Sequence, residues 1–166
     1  MNLRYRKGQL NDLVRLKQLA MLSWNRYEKE LSPSNWKKLS VSLTNDNTYL
    51  TLLEDSDSMI CETDDEKIIG MAFIVPSGNP TEIFDETWSY IRFVTVHPEF
   101  AGQGIGRKLT EHCIEIAKHN NEKSIALHTS VMMKEAIHLY ESLGFKVLLE
   151  IEPRLGKQYW LYILHL

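Results

Sequence analysis

The chain has 166 residues, 43% of them hydrophobic and 25% charged, and its net charge is −3. These values fit one globular domain over residues 1–166 and supply no basic field for nucleic acid. No apolar run approaches the roughly 20 residues that a membrane helix needs, so neither nucleic acid nor membrane is an expected partner.

The opening stretch MNLRYRKGQLNDL has no apolar signal-peptide core, and NLRYR reads as a short strand. QLNDLVRLKQLAMLSW places Leu10, Leu13, Leu16 or Lys17, and Ala20 at helical spacing. LSPSNWKKLSVSL begins a second helix, with Ser32 as cap, Pro33 in the first turn, and Trp36, Leu39 and Leu43 on one stripe. In SMICETDDEKIIGMAFIV, two apolar runs flank Asp64, Asp65 and Glu66, the pattern of a β-hairpin. PSGNPTEIFDET is rich in turn formers and reads as a loop. WSYIRFVTV is a strand by its aromatic and β-branched content. Ile105, Leu109, Cys113 and Ile116 then repeat at helical spacing as far as about Lys118. KSIALHT is a short strand. MMKEAIHLYESLGF is a helix with Met132, Ala136, Leu139 and Leu143 inward, stopped by Gly144. KVLLEI and QYWLYILHL are the final strands, and the last reads either as buried or as part of a homodimer surface.

This order is mixed α/β or α+β, without repeats, linkers or low-complexity segments. Cys61 falls in a strand and Cys113 in a helix. No metal-ligand spacing or disulfide framework surrounds them. Both read as buried, reduced thiols of a cytoplasmic protein, and neither as a nucleophile or a metal ligand.

Between the predicted strand and helix, VHPEFAGQGIGRKL sets Gly102, Gly104 and Gly106 at alternate positions. A helix N-terminus carries unpaired N–H groups and about half a positive charge, so it can hold a phosphate. Side chains in the first turn would keep the phosphate off the backbone, and glycine removes them. Arg107 and Lys108 add cationic charge. The same glycines would also serve a connection that merely turns a corner. The dinucleotide fingerprint fails, because its last glycine falls on Arg107 or Leu109. No Gly-Lys-Ser/Thr exists for a nucleotide P-loop.

VTVHPEFAGQGIGRKL, followed by EAIHLYESLGF, resembles the GCN5-related N-acetyltransferase (GNAT) superfamily over roughly Ile91 to Val147. The family motif Q/R-x-x-G-x-G/A falls on Ala101, Gly102, Gln103, Gly104, Ile105 and Gly106, with Ala101 in place of the leading Gln or Arg. The resemblance implies a central, mostly antiparallel mixed sheet of six to seven strands with about four flanking helices and a β-α-β cofactor-binding unit. It also implies acetyl-coenzyme A as co-substrate. Its pyrophosphate would rest on the main chain of Gly102, Gln103, Gly104, Ile105, Gly106 and Arg107. Val94, Thr95 and Val96, on a strand that splays from its neighbour, would offer main chain to the acetyl carbonyl and the pantetheine arm. Met133 stands where the family often has an asparagine that contacts coenzyme A, with Ser130 or Lys134 as substitutes.

The implied reaction is direct attack of an amine on the thioester, without a covalent enzyme intermediate. A lysine-like amine of pKa about 10.4 is neutral about once in 2,500 molecules at pH 7, a deficit of about 4.6 kcal/mol. A base must recover much of that. His128 takes one family position for the base, and Glu82, Asp85, Glu86, Glu99 and Tyr90 compete with it. A strand-end histidine also serves as a purely structural hydrogen-bonding group. The loop acids serve either as a solvated face or as an attraction for a cationic amine. Tyr140 takes the family's tyrosine position, the acid that protonates the leaving thiolate. By periodicity alone it is a packing residue at the edge of the core stripe. Trp24, Tyr27 and Trp36 either wall the acceptor site or belong to the core. The expected acceptor is a small-molecule or peptide amine, with polyamine, antibiotic, amino acid, peptide N-terminus and protein lysine all open. A rival reading keeps the fold but not turnover, as a coenzyme A-binding sensor or interaction module, and Ala101 and Met133 are the features in its favour.

Overall fold

The computed structural model describes residues 1–166. Its elements are β1 (Arg4–Arg6), α1 (Leu13–Trp24), α2 (Pro33–Leu43), α3 (Asp46–Asp55), β2 (Asp57–Glu62), β3 (Ile68–Val75) and β4 (Ser89–Val96). Then follow α4 (Ile105–His119), β5 (Ser124–Ser130), α5 (Lys134–Ser142), β6 (Lys146–Arg154) and β7 (Lys157–His165). All 8 residues of β3, IIGMAFIV, are buried. An unbroken apolar strand suits only the middle of a sheet covered on both faces. The 7 strands form one sheet in the order β1-β2-β3-β4-β5-β7-β6. Every neighbouring pair is antiparallel except β4–β5. A parallel pair needs a crossover, and α4 supplies it. The expected mixed, mostly antiparallel sheet is present in its seven-stranded form.

Helices cover both faces. Leu16, Leu19 and Ala20 of α1 and Tyr49, Leu52 and Leu53 of α3 pack on Met71, Phe73, Val75, Tyr90 and Leu161. Ile105, Leu109 and Cys113 of α4 and Tyr140 of α5 pack on Cys61, Ile69, Ile74, Ile91 and Leu127 across the other face. Arg6 ties the start of the chain to this frame, holding Asp12 and Glu62 at 2.8 Å each.

Five α-helices flank the sheet rather than about four. The additional one is α3, whose polar start DNT conceals Tyr49, Leu52 and Leu53 at helical spacing. Leu10 is 52% exposed, because α1 begins at Leu13. The Asp12 carboxylate accepts from Gln9 N at 2.8 Å and pins a short turn ahead of it. Ser32 does cap α2, accepting from Asn35 N at 3.2 Å. α5 starts at Lys134, so Met132 lies outside it, and Gly144 ends it with φ of 96°. β7 is an interior strand between β5 and β6, with Tyr159, Leu161, Tyr162 and Ile163 buried. The exposed edge is instead β6, where Val147, Leu148 and Leu149 are 51%, 44% and 47% exposed.

Candidate active site

β4 and β5 begin as neighbours, with Ser89 opposite Ile125 and Tyr90 opposite Ala126. Beyond Tyr90 they share no paired residues, although β4 runs to Val96 and β5 to Ser130. The strands part as a fork. Along β3, Met71 faces Thr95 and Phe73 faces Arg92, so β4 carries one extra residue over the same span. Phe93 absorbs it at φ of 54°, a left-handed conformation that bulky residues avoid. A bulge of this kind bends its strand and increases local twist. It also leaves Arg92 and Phe93 on one face, the face covered by α1 and α3.

The register assigns the main chain along the fork. His97 N donates to Ile69 O at 2.8 Å, Val96 lies opposite Gly70 and Thr95 opposite Met71. Antiparallel alternation therefore turns the peptide groups of Thr95 toward β3 and those of Val94 and Val96 toward the fork. There the Val96 carbonyl accepts from Ser23 Oγ at 3.1 Å, which ties the end of α1 over the opening.

The glycines lie beside this fork. Gly102 and Gly104 take φ of 77° and 78°, and a side chain at either would meet nothing within 4 Å. Their absent side chains leave open space in front of the backbone. Gly106 acts differently: a Cβ there would sit 3.6 Å from Val96 and Leu139, so it sets the helix close against β4 and α5. Gly104 is the N-cap of α4 and offers no side chain, and the first turn contains no acid. The N–H groups of Ile105, Gly106 and Arg107 find no acceptor in the protein. They form the positive end of a 15-residue helix. Arg107 donates to Ser142 Oγ at 2.6 Å and so stays beside the cradle's neighbour α5. Lys108 Nζ sits 4.5 Å from the Tyr5 ring centroid. Gln103 and Ala101 are exposed in the loop.

On the α4/α5 face, Tyr140 packs edge-on to Phe145, 5.9 Å between centroids. Burial, with the Cys113 thiol beside it, pushes the phenol above its usual pKa, and no protein group bonds its hydroxyl. The phenol is therefore protonated at any physiological pH. Met133 stands at the N-cap of α5, where its thioether receives Thr129 Oγ1 at 3.6 Å. The Ser130 hydroxyl is buried and accepts from Met132 N at 3.3 Å, whereas Lys134 is exposed.

His128 lies on the other face. Its ring stacks on Tyr159 at 5.6 Å and meets the Phe84 ring edge-on at 5.9 Å. Nδ1 is buried without a partner. Burial, then the charges of Arg154 and Arg92, pull its pKa down to about 4. Such a ring is neutral at pH 7 and too weak a base to discharge an ordinary ammonium unaided. The competing acids face solvent. Glu82, Asp85 and Glu86 are exposed, and Asp85 accepts from Thr87 N at 2.8 Å. Glu99 is 76% exposed, 3.9 Å from Lys67. Tyr90 is buried against Phe84, and its hydroxyl donates to Asn79 O at 3.0 Å. Trp24 packs on the core with its ring 5.2 Å from that of buried Tyr27, and Trp36 is half-buried on α2.

Sequence reading passes over Ser23, Gly70, Arg92, Phe93 and Arg154. The bulge at Phe93 depends on register, which a single strand does not display. Gly70 does carry a signal, a glycine inside a buried strand. A Cβ there would lie 3.0 Å from both Ile105 and Leu109, so its absence seats α4 on the sheet. A surface cavity of about 390 Å³ between α4 and the end of β7 shares no residue with the fork.

Comparisons with known proteins bear on the fold and on the family. The chain is 28% identical to human N-acetyltransferase 8B over 131 residues, which is 77% of this chain and 52% of that protein. It thus spans about half the length of that relative. The fold is similar to PaiA N-acetyltransferase from Thermoplasma acidophilum in complex with coenzyme A, with a TM-score of 0.77, 18% identity and 97% and 98% of the two chains covered. It is similar too to YncA from Salmonella typhimurium with its cofactor acetyl-CoA, with a TM-score of 0.74, 18% identity and 99% and 94% covered. The sequence profile of the Acetyltransferase (GNAT) family matches residues 16–145, from the second turn of α1 to the end of α5 and the turn beyond it, and the chain belongs to that family.

Proposed function

We propose that this chain, as one domain over residues 1–166, is an acetyl-coenzyme A-dependent N-acetyltransferase acting on a small-molecule or peptide amine. The observation that carries the proposal is the forked β4–β5 edge beside a helix N-terminus stripped of side chains. A neighbouring fold with coenzyme A and another with acetyl-CoA support the co-substrate, and the N-acetyltransferase relative supports the reaction. The cradle fits a diphosphate: its N–H groups are free, its front is open, and no carboxylate stands in its first turn.

In this reading, Gly102, Gln103, Gly104, Ile105, Gly106 and Arg107 hold the pyrophosphate, and Met133 packs against the cofactor arm at the start of α5. Bound acetyl-coenzyme A supplies an acyl group activated as a thioester. The peptide groups of Val94 and Val96 align that arm as a strand edge would, with Thr95 holding β4 to β3, and their N–H groups face developing oxyanion charge. Tyr140 donates its free hydroxyl to the departing sulfur. A thiol of pKa about 8.5 leaves readily and needs only that bond. His128, neutral, offers Nδ1 to the acceptor as a hydrogen-bonding group rather than as a strong base. The ammonium loses its proton to solvent water before attack, and like charge eases that loss. The cations that lower the pKa of His128, Arg92 and Arg154, act in the same sense on an incoming ammonium.

Reduced, buried Cys61 and Cys113 support a cytoplasmic location. No helix of the chain is long and apolar enough to cross a membrane. The exposed apolar edge of β6 supports a homodimer in which a second copy covers Val147, Leu148 and Leu149. Calorimetric titration with coenzyme A, followed by thiol release from acetyl-coenzyme A over an amine panel, tests the whole reading. Binding with release on at least one amine supports it. Binding without release on any amine favours the silent sensor.

A further inference from the structure

The face of the fork that carries His128 holds more positive charge than folding needs. Arg92 is half-buried, with its guanidinium carbon 5.2 Å from the Phe93 ring centroid. It forms no ion pair and no hydrogen bond; burial and the charge of Arg154 both act against its cation, and no carboxylate offsets them. Inner arginines elsewhere in the chain are paired: Arg6 holds Asp12 and Glu62 at 2.8 Å each, and Arg15 holds Asp12 at 2.5 Å. A half-enclosed guanidinium without an acid is costly, and its planar fork of donors matches a carboxylate.

Arg154 stands at the β6–β7 tip, and its charge is felt at Arg92 and His128. Leu155 and Gly156 turn that hairpin with φ of 54° and 70°. A side chain at Gly156 would lie 3.1 Å from Asn35, so the tip rests against the start of α2. Arg154 also lacks an acid partner, and its charge acts on both Arg92 and His128. Tyr159 stacks on His128, whose buried Nδ1 has no partner. Strands β4, β5 and β6 thus bring two cations and one unsatisfied ring nitrogen to one side of the fork, with no protein carboxylate paired to them.

We propose that Arg92 and Arg154 hold a carboxylate carried by the acceptor, so that the substrates are small amines bearing a carboxylate, such as free amino acids. This rests on the acetyltransferase reading and adds the acceptor's second functional group. The division of labour is consistent in charge. The carboxylate offsets one of the two cations, and the remaining positive charge favours the unprotonated amine.

The test titrates coenzyme A-loaded protein with L-leucine, L-phenylalanine, L-glutamate and L-lysine, each beside its carboxamide, by calorimetry. At least one acid should bind about tenfold or more tightly than its amide, the size expected of a charge-assisted hydrogen bond. Arg92→Gln should erase that gap at unchanged coenzyme A affinity, and Arg92→Lys, which keeps the charge, should retain part of it. Arg154→Gln, on the exposed tip where folding is not at stake, should narrow it. The proposal is overturned if no acid outbinds its amide, if the gap survives both glutamine variants, or if Arg92→Gln chiefly weakens coenzyme A. Thiol release from acetyl-coenzyme A is read in the same samples. A carboxylate gap without release keeps the subsite and rejects the transferase, and release without a gap does the reverse.

Discussion

Gly102 and Gly104 differ in kind from Gly106. The first two hold a left-handed backbone in open space, and the third permits close packing at ordinary φ. Gly104→Ala should therefore cost about 1 kcal/mol of stability, the usual penalty of a left-handed alanine. It should also weaken coenzyme A binding tenfold or more. Gly106→Ala places a Cβ in ordinary contact and should be neutral or stabilising by up to about 1 kcal/mol, since alanine favours the helix. Thermal melts with calorimetry separate the two. Tyr140 makes a kinetic prediction. Tyr140→Phe should lower turnover by about a hundredfold, the scale of a lost acid, at unchanged coenzyme A affinity. Equal turnover at all pH values would reject the role. His128 makes a stability prediction. Its folded pKa of about 4 lies below the usual 6.5, so the unfolded chain takes up the proton first. Its contribution is complete above pH 6.5 and is lost as pH falls toward 4, by up to about 3 kcal/mol. Urea unfolding at pH 7 and pH 5 should show a smaller difference in His128→Phe. Some slope remains, because burial also depresses His97.

At the scale of elements, α4 and β4 make the site together, and they differ in how far their sequences reveal them. The cradle is legible because glycines at alternate positions before an amphipathic helix form a local pattern. The fork is not. It follows from one extra residue in β4 relative to β3, and WSYIRFVTV shows neither its partner nor its register. Arg92 escapes notice for the same reason, since only the bulge puts it on the same face as Phe93. α3 is hidden by a polar first turn. The C-terminal strands read correctly as strands, but pairing order places QYWLYILHL inside and KVLLEI at the edge. Gly70 links α4 to the sheet and is testable. Gly70→Ala brings a Cβ to 3.0 Å from Ile105 and Leu109. It should cost about 1–3 kcal/mol by overpacking, and it should weaken coenzyme A binding by tilting the cradle. Gly104→Ala, in contrast, should lose mostly affinity. Paired melting and binding data distinguish the two patterns.

Taken whole, the molecule is a sheet with one deliberate break. Helices α1 and α3 close one face and α4 and α5 the other, and the only parallel step lies where the sheet opens. The proposed phosphate cradle and Tyr140 stand on the α4/α5 side. His128 and the unpaired arginines stand on the α1 side. A thioester threaded through the gap would meet the acceptor from the opposite face. In the proposed function, coenzyme A lodges its diphosphate on bare main chain at the start of α4. This is tested most directly by following backbone amide resonances while coenzyme A is added to the labelled protein. The largest shifts are expected at Gly102 to Arg107, with a second group at Val94 to Val96. Shifts gathered elsewhere, or no saturable shift at all, would contradict it.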